Sequence, residues 1–427
     1  MRLHNLLFMQ LKNRVMKNVF LLLMIPILAA GQKISLQECF EMAIQHHPLN
    51  DKLERIDDIH SLKIQNYKMK RLPEMSLSAQ MTYQDPVIGI DNPMFPSSAP
   101  DQYKTWIDVR QNIYDGGYVR SLMDIERQNE KTAYLEQELS IDLVKYGITE
   151  LYFNILIVDI QLAQSAILHE ELTERLRNAK SLVDAGVITL NNYNGIKVEI
   201  LKVEQQQNAL KMNREGLISV LKRYTGISSD DSLSIMEPEI ESFESIDIAR
   251  KEYELFEANK SKILLYQKQT GTMLRPKLFG FTQIGYGNPG LNILNDSFEP
   301  FYIVGAGLSW NIYDWGKTKK SKQVQEILYN NIEDEKNKFN QDIHVLIDKT
   351  LSEIKAYEVM IESDPQIIEI CSNNEIVAES QFLNGTLNAT EYLSEINKKK
   401  QAVLAYEMHK IKRKQAMANL NLIIGKF

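Results

Sequence analysis

The sequence predicts a mainly α-helical protein with a small β part, built from a duplicated unit of helix, strand, strand, very long helix and helix. Three observations carry that expectation. Eight of the twelve prolines fall in two short windows, Pro73 to Pro100 and Pro276 to Pro300. Outside them lie two 68-residue stretches nearly free of helix breakers, 118–185 with only Gly147 and 317–384 with only Pro365. The run Asn112-Ile113-Tyr114-Asp115-Gly116-Gly117 recurs at an offset of 199 as Asn311-Ile312-Tyr313-Asp314-Trp315-Gly316.

Residues 1–31 read as a signal peptide: Met16-Lys17-Asn18, an apolar run from Val19 to Leu28, and the small residues Ala29-Ala30-Gly31 before a cut at Gln32. After residue 31 no run approaches the roughly 20 apolar residues of a spanning helix, which excludes a polytopic helical membrane protein. Without the four cations of residues 1–31, 45 basic residues face 56 acidic ones, a net charge of -11. That balance argues against a nucleic-acid partner. Cys39 and Cys371 are too few for a disulfide framework or a structural zinc site and read as small core residues. The 427 residues by themselves suggest two to four domains.

The elements follow in order. Residues 32–72 supply the first helices. Residues 73–114 form a β-hairpin, because Met75, Leu77, Ala79, Met81 and Tyr83 alternate with polar residues and Thr105, Ile107 and Val109 alternate with Trp106, Asp108 and Arg110. Residues 115–226 form a helical hairpin with its turn near Gly186; a helix filling 118–185 would be roughly 100 Å long. Its return segment carries Tyr193, Ile196, Ile200, Val203, Leu210, Leu217, Leu221 and Tyr224 at 3-4 spacing, a coiled-coil seam facing Leu168, Leu172, Leu176, Ala179 and Val183. Residues 227–275 link to the second copy and hold its first helix, 276–313 form the second β-hairpin, and 314–427 the second helical hairpin. The same spacing from Tyr392 meets Glu395, Lys399, His409 and Arg413, so the second seam is partly polar or shifted. Pro365 implies a kink or a short break in the second long helix.

The repeat has further landmarks. The offset of 199 also maps Gly186 onto Gly385, Tyr193 onto Tyr392, Leu221 onto Leu420 and Gly226 onto Gly425, while the β-hairpins match at an offset of 203 through Pro73 and Pro276, and Tyr83 and Tyr286. The strands are about 10 residues long, enough to cross a bilayer when tilted. Four such strands cannot close a barrel and lipid does not tolerate open edges, so several chains must share one. Two chains would supply eight strands around a filled interior; three would supply twelve and leave a lumen.

On these residues the chain resembles the TolC-like outer-membrane efflux proteins along nearly all of its length after residue 31. The resemblance rests on the duplicated Asn-Ile-Tyr-Asp-x-Gly junction, the Gly-x-x-Thr turn at Gly186 to Thr189 with its copy at Gly385, the strand starts at Leu72-Pro73 and Arg275-Pro276, and the terminal Leu-x-x-x-x-Gly at Leu221 and Leu420. The stretch from Tyr286 to Asn292 is similar to that of Bacteroidetes-type members. The resemblance implies a homotrimer with a twelve-stranded β-barrel in the outer membrane, continuous with a twelve-helix coiled-coil periplasmic tunnel. It implies a passive duct of a tripartite efflux or type I secretion system, with most of the chain in the periplasm. Its partners would be a periplasmic adaptor (membrane fusion protein), an inner-membrane pump and outer-membrane lipid.

Carried over by position, Gly186, Thr189, Gly385 and Thr386 would form the tip turns that dock the adaptor. Tyr114, Asp115, Gly117, Tyr313, Asp314 and Gly316 would form the strand-to-helix junctions. The two acidic constriction rings of the family's best-known member fall on Glu391 and Ser394, so one acid is kept and one lost, with Asn192 at the matching first-hairpin position. Glu391 read plainly is an acid near a helix start, favoured by the dipole. Tyr103, Tyr302 and Trp310 would lie at the membrane interface, and Trp106, beside Asp108 and Arg110, in the lumen.

No enzyme motif for nucleotides, serine hydrolysis or zinc proteolysis occurs, the histidines are scattered, and neither a metal nor a cofactor is expected. A secreted or periplasmic coiled-coil scaffold without a pore is the competing reading. Conductance in membranes separates the two.

Overall fold

The computed structural model describes residues 32–87, 99–230, 233–240, 246–293 and 295–427. The expected signal peptide, and Pro93 and Pro96 of the first hairpin loop, lie outside the described residues. The chain is mainly helical with a small sheet part, and it divides into two compact units.

One unit holds residues 47–144, 243–351 and 420–427. Its strands β2 (Glu74–Tyr83), β3 (Asp101–Tyr114), β5 (Lys277–Asn288) and β6 (Glu299–Ser309) form one antiparallel sheet in the order β2-β3-β5-β6. Each proline window is therefore a hairpin, and β3 pairs with β5 to join the two hairpins, with a register shift between Asn112 and Tyr114. Helix α3 (Tyr118–Asp142) leaves β3 and packs against α2 (Asn50–Met69) and α6 (Glu252–Gly271). The α2–α3 contact is polar at its centre: His60 Nδ1 lies 2.7 Å and Lys63 Nζ 3.1 Å from the Glu126 carboxylate. Burial pushes the Glu126 carboxyl up, but hydrogen bonds from Lys63, Asn129 and His60 outweigh it and hold the group below its ordinary value.

The other unit holds residues 32–46, 145–242 and 352–419 among those described. Its strands β1 (Gln32–Ile34) and β4 (Leu233–Ile235) pair in parallel. The fully buried Tyr152 places its hydroxyl 2.9 Å from the Ile34 carbonyl, tying the small sheet to α4 (Val144–Asp184). Helix α1 (Leu36–Gln45) is closed by a capping box between Ser35 and Glu38 and buries Cys39, whose thiol burial pushes up to about 12.

Helix α4 and α5 (Leu190–Thr225) make one helical hairpin; the far part of α7 (Lys317–Leu383) and α8 (Ala389–Ile424) make the other. Both contribute to one core: Leu168, Leu172 and Ala179 meet Ile196, Ile200 and Val203, together with Phe382, Tyr392 and Ile396. The expected first seam holds at Ile196, Ile200, Val203 and Leu221, while Ile218 and Thr225 are buried in place of Leu217 and Tyr224. Its two polar positions find partners on α4, Gln207 donating to the Ser165 carbonyl at 2.9 Å and Arg214 pairing with Asp159 at 2.5 Å.

The two breaker-free stretches differ. The first is two helices separated at Leu143; the second is one helix of 67 residues that runs unbroken through Pro365. The short break weighed for Pro365 is therefore absent. Within Tyr118–Asp184 one window is apolar enough to cross a membrane by composition, more so than the sequence reading allowed. Half of that window is buried, with Ile148, Tyr152, Phe153 and Ile155 in the core.

Candidate functional site

The four-stranded sheet has two unlike faces, because side chains alternate along a strand. Its cross-strand rows follow from the registers. Leu77, Ile107, Ile284 and Tyr302 form one row, and Met75, Val109, Thr282 and Val304 the next. Most of this apolar face is exposed, with Leu77 at 76%, Tyr302 at 75% and Val304 at 70%.

The opposite face carries Asp108, bonded to Gln283 at 2.8 Å, and Arg110, whose guanidinium sits 4.2 Å from the Phe279 ring centre. Phe281 lies over Gly305 and Phe279 over Gly307; a Cβ at Gly305 would stand 2.6 Å from Phe281 Cζ, so the glycine makes room for the ring. Trp106 shares this mixed face with Asp108 and Arg110. Tyr103 and Tyr302 lie on the apolar face, and Trp310 donates its indole N–H to the Leu274 carbonyl at 3.0 Å.

Both junctions from strand to helix are tied by an aspartate. Asp115 accepts from the N–H groups of Gly117 and Val119, each at 2.8 Å; Asp314 accepts from Gly316 at 3.1 Å and Thr318 at 2.8 Å. The chain turns there through two successive left-handed residues, Gly116 and Gly117 in one junction, Trp315 and Gly316 in the other. Trp315 is the one non-glycine residue with positive φ among the described residues. Tyr114 and Tyr313 flank the turns and are exposed.

The tips are built alike. Gly186 at φ +74° ends α4 with its N–H on the Val183 carbonyl and that of Val187 on Leu182, and Gly385 at φ +71° ends α7 with the same bonds to Phe382 and Gln381. Thr189 caps α5 through the Asn192 N–H, and Asn388 caps α8 through the Glu391 N–H at 2.9 Å. Thr386 turns its hydroxyl back to the Gln381 carbonyl.

Glu391 and Ser394 are both exposed, one helical turn apart on α8. Asn192 points elsewhere: its side chain accepts the Ala389 N–H at 3.2 Å and joins the two hairpins. Reading from sequence missed the ion network beneath the tips. Buried Glu375 of α7 accepts from Arg175 of α4 at 2.5 Å and from Lys399 of α8 at 2.8 Å, while Arg175 also stacks on Tyr392. The polar second seam was its only signal. Among the described residues no group of His, Cys, Asp and Glu is arranged to hold a metal ion.

No family model and no curated protein matches this chain. Solved structures do. The chain is 14% identical to the outer membrane protein VceC of Vibrio cholerae over 91% of this chain and 94% of that one, with a TM-score of 0.65. It is 11% identical to CusC over 93% of each chain, at 0.69. The open-state MtrE outer membrane channel of Neisseria gonorrhoeae is 13% identical over 91% and 88%, at 0.65. The fold of this chain is thus that of TolC-like outer-membrane channels.

Proposed function

We propose that this chain is one subunit of a homotrimeric outer-membrane duct for efflux or type I secretion. The observation that carries the reading is the sheet: four antiparallel strands with an apolar exposed face and two edges, β2 and β6, that pair with no further strand among the described residues. Along β2-β3-β5-β6 every neighbour is antiparallel, so the two edge strands run in opposite senses. The β6 edge of one copy can therefore pair with the β2 edge of the next and keep the alternation, which is a head-to-tail contact that closes into a ring. Three copies give twelve strands, past the eight whose interior fills with side chains. The likeness in fold to solved outer membrane channels supports a channel role.

In this reading the duplicated halves place their long helices as a periplasmic tunnel, with a periplasmic adaptor at the Gly186 and Gly385 tips and an inner-membrane pump as the source of energy. The mixed face with Trp106, Asp108 and Arg110 lines the lumen, and Tyr103, Tyr302 and Trp310 meet the membrane interface. Glu391, brought together threefold, makes the tip attract cations. The protein should migrate in unheated gels as a heat-modifiable trimer from outer-membrane fractions and show single-channel conductance in planar bilayers. A water-soluble monomer without conductance would favour the pore-free scaffold and end this proposal. Glu391→Ala should weaken block of that conductance by divalent cations; unchanged block would remove Glu391 from the constriction.

A further inference from the structure

Charge is distributed unevenly between the two ends of the four-stranded sheet. At the end where strands meet helices, Lys68, Lys70 and Arg71 precede β2 and Arg120 follows β3. Lys268, Arg275 and Lys277 lead into β5, and Lys317, Lys319, Lys320 and Lys322 open α7 after β6. All eleven are exposed, and among the described residues none forms an ion pair with a carboxylate. The acids at this end are Glu74, Asp115, Asp314 and, one turn beyond Lys322, Glu326, and both junction aspartates are engaged by backbone N–H groups. At the far end the described residues carry Asp85, Asp101, Asp296 and Glu299 against Lys104 alone.

A chain with a net charge of -7 thus carries eleven cations at one level of the sheet. The placement has an electrostatic cost. Lysines in the first turns of α7 oppose the helix dipole, and the acid set against them at that helix start is the junction's Asp314, the first turn itself holding none. The first copy keeps one cation of the four: Lys319 matches Arg120, whereas the positions matching Lys317, Lys320 and Lys322 are Tyr118, Ser121 and Met123. The lysines also follow an exposed apolar cluster, Ile312, Tyr313 and Trp315, the last at 85% exposure. Lys319 and Lys322 line an open groove of about 930 Å³ that includes Leu264, Leu274, Tyr329 and one acid outside the junction, Glu326.

We propose that this basic collar binds anionic phospholipid headgroups of the leaflet that faces the periplasm. The inference rests on the outer-membrane reading, which puts this end of the sheet at that leaflet. Cations at headgroup depth beside exposed tryptophan and tyrosine match an anionic lipid surface in charge and in polarity. The groove beside α7 accepts the headgroup, and the lysines reach its phosphate.

The test uses the full-length protein in nanodiscs of phosphatidylcholine with a minor share of phosphatidylglycerol, counting retained lipid by native mass spectrometry. Wild type should enrich phosphatidylglycerol. Replacing Lys317, Lys319, Lys320 and Lys322 together by Gln should reduce that enrichment by about fivefold per lysine until it is lost, whereas Lys104→Gln at the far end should leave it unchanged. Heat-modifiable trimer migration checks assembly, and the pair Lys319→Gln with Lys322→Gln serves if the fourfold variant does not assemble. Equal enrichment in wild type and variant overturns the collar, as does displacement of the lipid by inorganic phosphate at matched ionic strength. A wild type that conducts without enriching phosphatidylglycerol sinks the collar alone; one that enriches it but never conducts supports the collar and sinks the duct.

Discussion

The two strand-to-helix junctions have the same backbone and different room around it. In each, an aspartate accepts from the N–H groups two and four residues ahead, and two residues in succession take left-handed φ. At the first junction a Cβ on Gly116 would stand 2.8 Å from Arg275 Cβ, so the position is closed to any side chain. At the second junction the same conformation is held by Trp315, fully out in the open against the edge of Tyr313. Backbone bonding sets the turn; the neighbours decide which residue can occupy it. The helical hairpins differ in the same way. Where the first has Leu176 and Ile200, the second has Glu375 and Lys399 at matching positions, and Arg175 completes the pairing.

The largest effect should come from that network. Arg175→Ala leaves buried Glu375 with Lys399 alone and should destabilise the protein by about 3 kcal/mol, measured by denaturant unfolding. The sharper experiment makes the second hairpin like the first. Arg175→Met, Glu375→Leu and Lys399→Ile combined should be neutral or stabilise by up to about 2 kcal/mol. A large loss in the triple variant would mean that the ions fix the hairpin pairing, and the two seams would not be interchangeable.

Next in size is the pair of junction variants. Gly116→Ala should cost about 2–3 kcal/mol, combining the left-handed penalty with displacement of Arg275. Trp315→Gly should gain about 0.5–1 kcal/mol by relieving the same penalty without leaving a void. If Gly116→Ala were neutral by thermal unfolding, the contrast in room would have no energetic content.

Much of this was legible in the residues. Glycines at 186 and 385 mark turns because left-handed closure of a helix favours glycine, and the strands announced themselves because one face alternates with the other. The pairing of β3 with β5 was not legible, since nothing local records which hairpin edges meet. Neither was the partner of Glu375, which lies 200 residues away in Arg175. The burial of Ile218 and Thr225 in place of Leu217 and Tyr224, and the turning of Asn192 toward Ala389, depend on how two hairpins share one core. A periodicity read along a single helix does not contain that information.

The smallest effect separates the junction aspartates by pH. Hydrogen bonds from the side chain and N–H of Thr318, and then from the N–H of Gly316, hold the Asp314 carboxyl below its ordinary range. A carboxyl whose folded-state pKa is depressed contributes its stability above the unfolded value near 3.8 and loses it as the pH falls through the lower folded value. Asp314→Asn should therefore lower stability slightly at neutral pH, and the gap to wild type should close in acid below the ordinary carboxylate range. Thermal unfolding at neutral and acid pH reads both terms. A gap that persists in acid would mean that Asn fails for its shape rather than its charge. In that case the second junction would be held by geometry alone, leaving its aspartate no different from a neutral cap.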